Sequence, residues 1–153
     1  MEAAQKQNTT VQYRTLPGAP EGQDARMLAA KAREIMHDGR ALVHIALDDA
    51  RLSTLSELLG FFAPDVQYVV FPAWDCLPYD RVSPNGDIVA RRVAALSTLL
   101  AWRKETARRP RIVLTTVNAV SQRVPPHDVL ESAVFEGKSG GVLEIEKLQS
   151  FLN

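Results

Sequence analysis

Three short apolar runs limit what this chain can fold into: ALVHIAL (41–47), VQYVVF (66–71) and RIVLTT (111–116). The first is continuous rather than alternating, as a strand covered on both faces requires. Between the runs, apolar residues recur at helical spacing. Leu52, Leu55, Leu58 and Leu59 mark one helix, and a second is expected near residues 88–104. A further helix precedes the first run, from 22 to about 37, where Ala25, Leu28, Ala29, Ala32 and Met36 share a face. Strands alternating with helices of this length indicate an α/β fold built on a parallel sheet with right-handed crossovers.

A chain of 153 residues suffices for one α/β domain, expected over 13–153. Residues 1–12 read as a flexible tail, because nothing in them asks to be buried. That polar start lacks the apolar core of a signal peptide, and no run approaches the roughly 20 apolar residues of a membrane span. A cytoplasmic location without membrane contact follows as the expectation. Formal net charge is zero, so attraction to nucleic acid would have to come from a local patch. Cys76 is the only cysteine, which rules out an internal disulfide. SAVFE (132–136) is expected as an edge strand and LEIEKLQSFL (143–152) as a last short helix. The pattern is still helical where the sequence stops, which predicts a domain truncated at its carboxyl-terminal end.

The loop LPGAPEGQDA (16–25) has the outline of a phosphate-binding loop opening a helix. Such a loop needs glycines to wrap backbone N–H groups around phosphates, a lysine for the β- and γ-phosphates and a hydroxyl for Mg²⁺. Counting from Gly18 puts Gln23 at the second glycine, Asp24 at the lysine and Ala25 at the hydroxyl. Taking Gly22 as the second glycine puts Gln23 at the lysine and Asp24 at the hydroxyl. Neither register supplies a lysine, and both set an acid where a triphosphate would lie. Gly18, Gly22, Gln23, Asp24 and Ala25 are therefore expected to form a degenerate phosphate loop that binds no cofactor.

ALVHIALDD resembles the strand that carries a Mg²⁺-binding aspartate in nucleotide hydrolases, but Asp48 or Asp49 is better explained as a helix N-cap. His44 reads as a sheet residue, and His37 and His127 have no ligand spacing with it. Cys76 has no nearby histidine and no serine lies in a nucleophile elbow. The expectation is a fragment with no catalytic residues, no metal site and no enzyme activity of its own.

The segment FPAWDCLPYDRVSPNGD (71–87) is the most distinctive in the chain. X-Pro steps hold it extended or turned, and Trp74, Leu77 and Tyr79 offer an apolar, stacking surface. They either cover the carboxyl end of the sheet or meet a neighbouring domain or partner, since sites form at such ends. FPAWDCLPYDRVSPNGDIVARRVAALSTL followed by IVLTTVNAVSQRVPP closely resembles the amino-terminal region of the bacterial transcription-repair coupling factors. That family carries W-(E/D)-x-L-P-Y-(D/E)-x-x-S-P, then D-I-x-x-x-R opening a helix, then V-x-A-x-x-Q-(R/K)-x-x-P. The resemblance runs from about residue 13 to the end.

The family's region is similar to the first domain of the excision-repair subunit UvrB, so the resemblance implies a helicase-like, P-loop NTPase-type sheet with helices on both faces. UvrB has an intact phosphate loop and a DNA-gripping hairpin, whereas 72–87 is too short for such a hairpin. The implied role is that of a non-catalytic scaffold and regulatory domain in transcription-coupled repair. In the full-length factor, ATP and Mg²⁺ serve a translocase elsewhere, which displaces stalled RNA polymerase on DNA. UvrA is recruited mainly through the adjacent domain. This region would support that domain and help hold the factor autoinhibited.

Arg91 and Arg92 follow the loop, and either one held beside Asp75, Asp80 or Asp87 would lock it. Arg103, Lys104, Arg108, Arg109 and Arg111 cluster at the helix end. They complement the helix dipole, or alternatively contact DNA phosphates directly as a binding module.

Overall fold

The computed structural model describes residues 15, 18, 20, 22–76, 83–135 and 140–152. The chain runs α1 (Gln23–Ile35), a 3₁₀ turn (Met36–Asp38), β1 (Leu42–Ala46), α2 (Asp49–Phe62), β2 (Gln67–Phe71), α3 (Gly86–Lys104) and β3 (Arg111–Thr116). Three short helices follow: α4 (Val117–Val120), α5 (His127–Ser132) and α6 (Ile145–Leu152). The strands are all parallel in the order β1-β3-β2, so β3 is central. The α/β expectation is met, with each of the three apolar runs forming a strand.

Strand order explains which face each helix takes. The β1-to-β2 step passes over the position of β3, and the β2-to-β3 step comes back the other way. Two right-handed crossovers in opposite directions must use opposite faces. Accordingly α1 and α2 pack with Leu42, Ala46, Val70, Ile112 and Leu114 on one face. On the other, α3 packs Ala95, Leu96 and Leu99 with Val69, Phe71 and Val113.

The first face is the better sealed. Ala25, Ala29 and Ala32 are fully buried along α1, and their small side chains let it lie close to α2 and the sheet. Leu55 and Leu59 are also fully buried, each worth about 1.5–3 kcal/mol of apolar transfer. Helix α1 ends at a 3₁₀ turn closed by Gly39, whose φ of 70° is left-handed and suits glycine. The second face is only partly covered. Helix α3 lies mainly over β2 and reaches Val113 of β3, and Val43 and Ile45 of β1 remain 56% and 47% exposed.

SAVFE does not pair as a strand. Residue 132 ends α5, 133 is a turn, 134 and 135 are irregular, and 136 lies outside the described residues. The prolines at 125 and 126 precede a short helix started at His127, with Leu130 N–H bonded to Pro126 C=O at 3.1 Å. The short helix after the prolines takes only Ser132 of this stretch, and residues 133–135 follow it as a turn and irregular chain without pairing. The 143–152 expectation holds, as α6. The expected tail lies outside the described residues.

Candidate functional site at the carboxyl end of the sheet

All strands are parallel, so their carboxyl ends share one edge, where α2 and α4 begin and residues 72–76 leave β2. The described residues of both motif regions singled out in the sequence lie toward this edge.

At the first, Gly22 is the residue before α1, with φ 84°, and is buried against the side chains of Leu58 and Phe62. A Cβ there would meet Phe62 at 3.7 Å, and the left-handed backbone adds strain for any other residue. Asp24 sits in the first turn of α1. One carboxylate oxygen accepts the Ala25 N–H at 2.9 Å, and the other forms an ion pair with Arg51 of α2. A side-chain carboxylate thus occupies the positive end of the helix, where a bound anion would otherwise be favoured. Gln23 is exposed and Ala25 is fully buried. Gly18 also has a positive φ, 74°.

His44, at the centre of β1, is half-buried beside this pair. Burial lowers its pKa, Asp24 opposes that shift and Arg51 adds to it. Asp48 rather than Asp49 is the N-cap of α2, its Oδ1 accepting the Arg51 N–H at 2.8 Å.

The second region centres on Arg92, which is only 2% exposed. Its guanidinium lies between two rings, 4.3 Å from the Phe71 centroid and 4.4 Å from that of Trp74. Nη1 donates to Pro72 C=O at 2.5 Å and to Gln122 Oε1 at 3.1 Å. The same Oε1 accepts the Trp74 N–H at 2.8 Å. Gln122 therefore ties the Trp74 loop, α3 and the segment after α4 together through one oxygen. Thr115 closes the base, its Oγ1 donating to Phe71 C=O at 3.0 Å.

The carboxylate lock expected for Arg91 or Arg92 takes a different form. Arg92 makes no ion pair among the described residues, because the aromatic faces and a carbonyl occupy its surroundings. Burial without a carboxylate lowers its pKa. Arg91 pairs with Asp87 one turn away at 2.6 Å, an exposed contact within α3. Asp75 receives the Asn85 N–H at 3.2 Å, and Asn85 Oδ1 in turn accepts the Asp87 N–H at 2.9 Å as the cap of α3. Both acids thus steady the start of α3, not Arg92. Leu77, Tyr79 and Asp80 lie outside the described residues. Gln122 was not singled out in the sequence; only its place in the V-x-A-x-x-Q pattern pointed to it.

The basic cluster lies at the opposite, amino end of the sheet. Arg111 opens β3 nearly buried, donating to Trp102 C=O at 3.0 Å, pairing with Glu105 and stacking 5.4 Å from the Trp102 ring. It satisfies the end of α3, as the dipole reading expects. Arg109 shares Glu105 at 3.6 Å. Among the described residues, no His, Cys, Asp or Glu side chains converge as a metal site, and no helix is long and apolar enough to cross a membrane.

No protein-family model and no solved structure matches the chain significantly. It is 30% identical over 135 residues to the transcription-repair-coupling factor of Haemophilus influenzae, which covers 88% of this chain and 10% of that protein. It is 34% identical over 68 residues to the protein of the same name from Rickettsia bellii, covering 44% of this chain and 6% of the relative. With the Escherichia coli protein of that name, identity is 31% over 80 residues, covering 52% and 6%. The chain spans about a tenth or less of the length of these curated relatives.

Proposed function

The chain corresponds to a segment of the transcription-repair coupling factors, and from that premise we propose that it is a non-catalytic scaffold and regulatory domain of such a factor. The observation that carries the non-catalytic part is the Asp24–Arg51 pair at the start of α1. An internal carboxylate takes the place that a phosphate would need, and no lysine stands in either register of the loop. That favours a helicase-like framework which keeps the outline of a phosphate loop without its chemistry.

In this reading the ATP- and Mg²⁺-dependent translocase, and the contacts with DNA and stalled RNA polymerase, belong to other domains of a longer cytoplasmic protein. UvrA is met through the domain next to this one. The described surface would serve those neighbours, with the Arg92-clamped Trp74 loop as the contact held rigid for them.

Calorimetric titration of the chain with MgATP tests the reading. The expected result is no saturable heat up to millimolar nucleotide. Saturable binding in the micromolar range would overturn it and restore a nucleotide site at LPGAPEGQDA.

A further inference from the structure

Beyond that reading, which leaves the translocase's own DNA contacts to other domains, the fold joins Arg40 to the basic cluster at the end of α3. β1 and β3 pair with Leu42 opposite Ile112, so the residues entering the two strands run side by side. This places Arg40, before β1, next to the 105–110 turn between α3 and β3. Arg40, Arg103, Arg108 and Arg109 line one open hollow of about 580 Å³, with Trp102 and Gly39 in its wall.

The charges there are unequal. Asp38 pairs with Arg40, and Glu105 is shared by Arg109 and Arg111. Arg103, Lys104 and Arg108 are exposed and make no ion pair among the described residues. Arg111 fills the Trp102 carbonyl in the last turn of α3, and Arg103 and Lys104 stand in that turn, but the dipole accounts for neither Arg108 nor Arg40. Gathering further cations of one sign around a concavity raises their mutual repulsion and focuses a positive field into it. The chain as a whole is neutral, so this field is local. All but one of these cations are arginines, whose planar fork binds phosphate in a bidentate way that lysine cannot.

We propose that this hollow binds the phosphodiester backbone of a nucleic acid, with Arg103 and Arg108 as the principal contacts, Arg40 beside them, and the exposed Lys104 adding charge from outside the lining. The open, shallow form suits a backbone running through it. Contact with phosphates alone gives no base readout, so the binding is independent of sequence.

The test is fluorescence anisotropy of a labelled 20-base-pair DNA duplex of arbitrary sequence, titrated with the chain at several salt concentrations. Saturable binding is expected at low salt, with a log–log salt slope of about three, from roughly 0.9 per neutralised phosphate. The triple variant R103E/K104E/R108E should bind at least about tenfold more weakly. All three side chains are exposed, so an unchanged thermal midpoint will show that the variant is folded, and R103Q/R108Q should fall between the two. Inorganic tripolyphosphate serves as the small-anion arm. Unchanged duplex binding by the triple variant, no duplex binding at low salt, or saturable tripolyphosphate binding without duplex binding would each overturn the proposal. None of those results would bear on the Asp24–Arg51 argument, which the MgATP titration tests separately.

Discussion

Arg92 shows how a buried charge is accommodated without an opposite one. Its guanidinium lies between Phe71 and Trp74 and donates to Pro72 C=O and Gln122 Oε1, so ring quadrupoles and carbonyl dipoles replace a carboxylate. Arg92→Ala removes both and opens space between the rings; a loss of about 2–3 kcal/mol is expected from desolvated cation–π and charge-assisted bonds. In a chain of this size that lowers Tm by roughly 4–12 °C. Arg92→Lys should fall part-way, because an ammonium keeps the charge but not the flat stack. Asp75→Ala decides between this clamp and a carboxylate lock. It should cost well under 1 kcal/mol, through the start of α3 alone. A loss equal to that of Arg92→Ala in thermal melts would show the clamp to be wrong. His44 gives a second prediction at this scale. Burial lowers its folded pKa below the ordinary value of about 6.5, so the unfolded chain takes up a proton first as pH falls. Its neutral form therefore contributes full stability above about pH 6.5, and that contribution shrinks as pH drops toward the folded pKa. Thermal melts between pH 7.5 and 5 should be flatter for His44→Gln than for the unchanged chain.

The elements test which acids are structural. Asp48 and Asp49 are adjacent and chemically alike, yet only Asp48 has the extended backbone of a cap and accepts the Arg51 N–H. Asp48→Ala is expected to cost about 1 kcal/mol in chemical denaturation. Asp49→Ala should cost only a few tenths, its carboxylate serving the dipole in the first turn. The two aspartates were legible as a capping pair in the sequence, but not which of them caps, because that depends on one residue of helix phase. The strands and long helices were legible for a stronger reason. Leu52, Leu55 and Leu59 repeat at 3.6 residues, and the short, β-branched apolar runs alternate with those helical stretches as strands of a covered sheet do. SAVFE failed as a strand because period-2 patterning over five residues carries little information, and the Pro125–Pro126 pair sets up a helical turn just before it. The Arg92 clamp was invisible for another reason. Phe71, Trp74 and Gln122 lie 21, 18 and 30 positions away, joined only by the β2–α3–β3 crossover. An acid was the natural partner to expect for an arginine, and the fold supplied aromatic faces.

At the scale of the molecule, the sheet divides two unequal cores. The α1–α2 side holds Leu55, Leu59, Ile112 and Leu114 at zero exposure, while on the α3 side the buried apolar cluster among the described residues is Val69, Phe71, Ala95 and Ala119. The asymmetry follows from the topology. Two helices cover one face of three strands, and the single long helix on the other lies mainly over β2 and reaches Val113 of β3, leaving Val43 and Ile45 of β1 exposed. An apolar trough of about 560 Å³ runs there between Val43, Val113, Leu96, Val120 and Leu130. Stability should therefore depend on which face a truncation touches, even with similar chemistry. Leu55→Ala leaves a cavity in a sealed core and is expected to cost about 2–5 kcal/mol. That is a large share of the 5–15 kcal/mol typical of a domain. Ile45→Ala removes side-chain carbons already half in water, and should cost about 1 kcal/mol or less, mostly through lost β-propensity. Urea unfolding of the two variants, compared at equal m-value, measures the difference. Equal losses would mean that the open face of β1 is in fact packed in solution, against an element that this arrangement of helices does not supply.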